Sequence, residues 1–186
     1  LLTVAGDFFP SQVRKWAEEN FKGLEKKEVP APEWEVRPFQ NKPRSKKIRK
    51  KVNQVFLEVG HLGLVRHQEE RYAYGLLQYI LGGDSFTSRL GKDIRATRGL
   101  AYSVYTDWEA APVRGHFKIH LETKAESAEE VERAVLEHLQ RLHEKADVTA
   151  EELAAAREAL LNRYIFWFDS PFDSINSRAK LDLLGF

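Results

Sequence analysis

"YSVYTDWEAAPVRGHFKIHLET" runs from Tyr102 to Thr123, and its reading decides the fold. In its second half Phe117, Ile119 and Leu121 alternate with His116, Lys118, His120 and Glu122. Side chains on a strand point to opposite faces in turn, so His116–Thr123 is expected to be a strand with one covered and one open face. Tyr102–Trp108 reads as a second strand. "EAAPVRG" (109–115), with its proline and glycine, reads as the turn that joins them into an antiparallel hairpin.

Working outward, Val52–Val59 predicts a third strand, with Val55, Leu57 and Val59 on one face. Arg71–Leu81 carries Ala73, Leu76, Leu77 and Ile80 at helical spacing, and Ser85–Thr97 predicts a shorter helix after it. Leu1–Ala5 reads as a buried strand that Gly6-Asp7 ends. Pro10-Ser11 opens a helix striped by Val13, Trp16, Ala17, Phe21 and Leu24. Four prolines between residues 26 and 45 (Pro30, Pro32, Pro38, Pro43) predict an extended connector.

Beyond the hairpin, Ser127-Ala-Glu-Glu130 and Thr149-Ala-Glu-Glu152 have the form of capping boxes, each opening a helix. The first helix carries Val131, Ala134, Val135, Leu139 and Leu142 as its stripe, and a last helix follows Ser170-Pro171. The order β, α, β, α, α, β, β, α, α, α predicts an α+β fold: two layers, a mostly antiparallel sheet with helices packed on one face.

The chain has 186 residues, 42% hydrophobic and 31% charged, with a formal net charge of +1. That size and balance predict one domain, residues 1–186, with a real core. The first residues read as a strand already in progress without an initiator Met, and the last as a helix cut short. The expectation is a fragment of a longer chain, truncated at both ends. The absence of cysteine excludes disulfides and thiolate zinc sites. No apolar run reaches the length of a membrane span and no signal-peptide pattern is present, so no membrane partner is expected.

The polar clusters have plain readings. His116, His120 and Glu122 share a strand face, but no His-x-x-Glu-His or its inverse occurs in the chain, and solvent-facing histidines are the commoner case. "KPRSKKIRKK" (Lys42–Lys51) has seven basic residues in ten. It lacks interleaved aromatics for base stacking, so a sheet-edge guard is favoured over nucleic-acid binding. Gly82-Gly83 lacks the order of a phosphate loop and reads as a helix C-cap. "FWFDSPF" (Phe166–Phe172) reads as buried aromatic packing, with an interface as second choice.

"ILGGDSFTSRLGKDIRATRGLAYSV" (Ile80–Val104) resembles the second domain of the zinc metallopeptidases that include pitrilysin, the insulin-degrading enzyme and mitochondrial processing peptidase. The shared features are a small-residue turn, Ser-Arg-Leu, an Ile-Arg helix end and Gly-Leu-x-Tyr entering a strand. "VAGDFFPSQVRKWAEENFKGL", "VNQVFLEVG", "GHFKIHLETKAESAEEVERAV" and "VTAEELAAAREALLNRY" follow the same family in the same order, so the resemblance covers nearly the whole chain.

That resemblance implies an active site shared between two domains. Zinc sits on one domain, and the other supplies an Arg and a Tyr that match Arg95 and Tyr102 here. It casts this chain as the substrate-binding half of a zinc metalloendopeptidase, with Tyr102 catalytic and Arg95 substrate-binding. No cofactor is expected in this chain. The implied partners are the zinc-bearing domain or subunit and a peptide substrate, in a dimer in the full assembly, with no nucleic acid. The chain alone is expected to be inactive. The rival reading is a catalytically inactive interaction or scaffold subunit of the same family. On local spacing alone, Arg89, Arg95 and Arg98 read as a solvated face and Tyr102 as a core tyrosine.

Overall fold

In a computed structural model the described residues are 1–25, 27, 30 and 42–185. They fall into two compact units: the described residues of Leu1–Trp34 with those of Ala159–Phe186, and those of Glu35–Glu158. Most of the predicted connector, residues 26–45, lies outside the described residues.

The unit within Glu35–Glu158 carries the hairpin. Strand β1 is Val55–Leu62, helix α2 is Arg71–Gly82, and a π-helical turn spans Gly91–Thr97. Strand β2 is Ala101–Glu109, strand β3 is His116–Thr123, and helix α3 is Ala128–Lys145. The strands form an antiparallel sheet in the order β1-β3-β2, so the two ends of the hairpin sit side by side and β1 pairs with its second strand.

The alternation in β3 is realised along its whole length: Phe117, Ile119, Leu121 and Thr123 are buried, and the residues between them are only partly covered. The covered face packs against Leu81 of α2, Leu90 and Ile94 at the π turn, and Val131, Ala134 and Val135 of α3. Burying a Val, Leu or Ile side chain contributes about 1.5–3 kcal/mol, so this face organises the unit. The architecture is α+β, as the element order predicts.

Several expectations need correction here. Strand β1 begins at Val55 rather than Val52 and continues to Leu62, because its ladder starts opposite Thr123, the last residue of β3. The helix expected over Ser85–Thr97 becomes helical only at Arg89, after a turn built on Asp84. Ser127 caps no helix with its side chain. It sits at the end of a 3₁₀ turn, Ala125–Ser127, with φ −96° and ψ −5°, whereas a capping side chain needs extended backbone. Thr149 does form its box: Thr149 N–H donates to Glu152 Oε2 at 3.0 Å, and Glu152 N–H donates to Thr149 Oγ1 at 3.2 Å. Helix α4 follows, Ala150–Ile165.

The other unit contains helix α1 (Pro10–Phe21), a 3₁₀ turn at Phe166–Phe168 and helix α5 (Pro171–Leu184). Ser170 caps α5, accepting from Asp173 N–H at 3.0 Å, with Pro171 preset for the first turn. Leu1–Ala5 is exposed coil, not a buried strand: it pairs with no strand among the described residues, and a strand without a ladder leaves its backbone unsatisfied. The α1 stripe forms a helix but buries none of its residues. The expected burial of Phe166–Phe172 also fails, since Phe166, Trp167, Phe168 and Phe172 are all exposed. Their ring contacts are local: Tyr164 lies 5.3 Å from Trp167 and 5.1 Å from Phe168, centroid to centroid.

Candidate functional site

The polar junction between α2 and β2 is a built object. Gly82 closes α2 against the sheet; a Cβ there would stand 2.5 Å from Thr106 Cγ2, so only glycine lets the helix end come this close. Asp84 then fixes the turn. Its Oδ1 accepts from the N–H of Phe86 at 2.9 Å, the N–H of Thr87 at 2.7 Å and the Thr87 hydroxyl at 2.9 Å. The Ser88 hydroxyl donates to the Asp84 carbonyl and accepts from Gly91 N–H.

Arg89 ties this junction to the start of α4. Its Nε and Nη2 donate to the two carboxylate oxygens of Glu152, both at 2.7 Å. Its Nη1 donates to Asp147 Oδ1 at 2.6 Å and Nη2 to the Asp147 carbonyl at 2.7 Å. The side chain is 11% exposed, so Arg89 is not part of a solvated face. The hydrogen bonds that Arg89 donates to Glu152 raise the Arg89 pKa against the opposing effect of burial. The hydrogen bond from Arg89 in turn holds the carboxyls of Glu152 and Asp147 below the usual carboxylate range.

A second brace holds the π turn. Asp93 Oδ1 accepts from Arg98 Nε at 2.9 Å, and Asp93 Oδ2 lies 2.9 Å from Nε2 of the buried His138 on α3. Burial pushes the Asp93 pKa up, but the hydrogen bonds from Arg98 and His138 outweigh it and leave the net shift downward. Leu90 and Ile94 anchor the turn in the core. Gly99, at φ +64°, reverses the chain, and Leu100 N–H donates back to the Ile94 carbonyl at 2.9 Å.

The two residues marked by the family resemblance project from this frame. Arg95, partly exposed on the π turn, lays its guanidinium over the Phe86 ring, 4.1 Å from the centroid. Tyr102 enters β2 at a β-bulge. Tyr102 and Ser103 together occupy the step that Glu122 alone fills on β3, while Ala101 and Val104 on either side are both buried. The extra residue breaks the alternation, so Tyr102 is 75% exposed on the open face and is not a core tyrosine. The π turn packs against β2, but no hydrogen bond joins Arg95 to Tyr102 among the described residues.

The rest of the open face is ordinary sheet surface. His120 Nδ1 lies 3.0 Å from Glu58, and its ring stacks on Tyr105 at 4.8 Å. Lys42–Lys51 is exposed coil. Among the described residues no group of three or more His, Cys, Asp or Glu could hold a metal ion, and no described helix is long and apolar enough to cross a membrane. Sequence reasoning missed Phe86 and the pairing of Arg89 with Asp147 and Glu152. The capping-box pattern did mark Glu152 as a carboxylate held at a helix start, but not its partner 63 residues away.

The chain as a whole has known relatives. Residues 1–160 match the family described as the peptidase M16 inactive domain, and the chain belongs to that family. It is 29% identical over 192 residues to YmxG of Bacillus subtilis, an uncharacterized zinc protease, covering 99% of this chain and 44% of that protein. A solved peptidase M16 inactive domain from Pseudomonas fluorescens is 31% identical at a TM-score of 0.61, covering 69% of this chain and 30% of that one. A protease from Helicobacter pylori shares the fold at a TM-score of 0.81 and 19% identity, over 95% of this chain and 43% of that one. The chain thus spans less than half the length of these relatives. Zinc appears in the name of YmxG, yet the described residues here do not fit a zinc site, and the sequence has no His-x-x-Glu-His.

Proposed function

We propose that this chain is the substrate-binding half of a zinc metalloendopeptidase, working with a zinc-bearing domain or subunit of the same family on a peptide substrate. The observation that carries the reading is the bulge in β2. A tyrosine otherwise due a regular strand position is turned out onto the open face, at a sheet edge, next to the turn that bears Arg95. Bulges are over-represented beside active sites, where a local break in the ladder re-aims one side chain.

The chemistry follows from the groups. When a peptide carbonyl is attacked, negative charge gathers on its oxygen. The Tyr102 phenol is a neutral donor that can hydrogen-bond that oxygen as the charge develops, and losing one such donor costs about 10²–10³ in rate. The Arg95 guanidinium is a permanently charged planar fork suited to substrate carbonyls or a carboxylate. Its task is to hold the peptide rather than to move a proton.

The test uses the full-length enzyme with both halves and an unfolded casein as substrate. Tyr102→Phe lowers kcat by about 10²–10³, with little change in stability because the residue is exposed. Arg95→Ala raises KM. Unchanged kcat/KM in Tyr102→Phe refutes the role. A catalytically inactive interaction subunit is the second reading, favoured by the exposed aromatics at Phe166–Phe172; it expects both variants to be silent.

A further inference from the structure

Arg95 carries a long, flexible side chain, and holding it in one place costs rotamer entropy. Among the described residues no carboxylate is paired with it. What meets its guanidinium is the face of Phe86, at 4.1 Å from the ring centroid. A cation within about 6 Å of a ring face is drawn to the negative side of the aromatic quadrupole.

Phe86 is itself an unusual residue to leave outside: it is 65% exposed and belongs to no core. Its backbone is nevertheless among the better-fixed parts of the junction, because Asp84 Oδ1 binds its N–H along with the N–H and hydroxyl of Thr87. A rigid turn thus presents a large apolar ring to solvent with a guanidinium on it. Ring stacking leaves the N–H edges of the guanidinium free, whereas a carboxylate partner would occupy them.

We infer that Phe86 is the positioning residue for Arg95: a fixed aromatic platform that sets the guanidinium's plane and leaves its donors open to a peptide carbonyl or carboxylate. This rests on the substrate-binding role proposed for Arg95. Aromaticity matters here, not bulk, so Phe86→Tyr preserves the platform and Phe86→Leu removes it.

Two readouts in the full-length enzyme test it. The ring current of Phe86 displaces the Arg95 Hε resonance upfield; Phe86→Leu returns it toward the free arginine position and Phe86→Tyr keeps it displaced. In casein cleavage, Phe86→Leu raises KM about two- to fivefold at unchanged kcat and unchanged Tm. Phe86→Tyr restores the parent KM, and Phe86→Leu adds nothing in an Arg95→Ala background. Equal KM for the Leu and Tyr variants overturns the inference. Arg95→Ala separates the two claims. If it raises KM while Phe86→Leu does not, the platform fails and the Arg95 role stands; if it leaves KM unchanged, both fall.

Discussion

Replacing Arg89 with Leu removes a planar fork that makes four hydrogen bonds between the α2–β2 junction and the start of α4. Breaking a buried ion pair by deleting one partner typically costs about 3–5 kcal/mol, because a charge is left stranded. Here the stranded charges keep some company. Asp147 retains Arg141, whose Nη2 is 2.6 Å from its Oδ2, and Glu152 retains the Thr149 N–H at 3.0 Å. Both carboxylates are also partly exposed, at 21% and 29%. The expected loss is therefore about 2–3 kcal/mol, below the buried-pair range. Urea unfolding followed by circular dichroism at pH 7 reads it as a midpoint lowered by about 1–2 M with the slope unchanged. Arg89→Lys keeps the charge but not the fork and recovers only a minor part. A midpoint within about 0.3 M of the parent for Arg89→Leu refutes the claim that this pairing holds the junction together.

The same pairing gives the acid limb a predicted shape. Glu152 has a depressed pKa in the folded state, so its contribution is full above its ordinary value of 4.5 and is lost as pH falls through the lowered folded value. Stability measured from pH 6 down to pH 3 should fall less steeply in Arg89→Leu than in the parent; parallel curves count against the linkage. At the end of α3, Ala146 adopts φ 45° and ψ 41°, a left-handed conformation that costs an L-residue about 1–2 kcal/mol and glycine almost nothing. Ala146→Gly should raise Tm by several degrees in a thermal melt, and a lowered Tm would contradict that backbone assignment.

The sheet was legible because β3 announces itself: period-two alternation over eight residues has one physical meaning when a single face is buried. Helix α3 was legible from its stripe for the same reason; α2 was legible as a helix, but of its predicted stripe only Ile80 is buried, while Ala73 and Leu77 are exposed. What failed were claims about covering. Leu1–Ala5 and Phe166–Phe172 are apolar, and apolar composition states a preference for burial without supplying a partner surface. Ser127 failed differently: its capping pattern matched, but the 3₁₀ turn before it set the wrong dihedrals. At the candidate site, the family resemblance marked Arg95 and Tyr102, while the bulge was invisible because its signature is a local fault in alternation. Phe86 gave no signal at all, since nothing in a sequence says which ring a guanidinium will choose.

The bulge in β2 has a genetic consequence. Without Tyr102, Ala101, Ser103 and Val104 would follow one another as in, out, in, each opposite a single residue of β3. The residue is surplus to the ladder. Loss of one codon here would leave a more regular sheet and an unchanged core while taking away the phenol. Selection for folding alone has no reason to retain that codon.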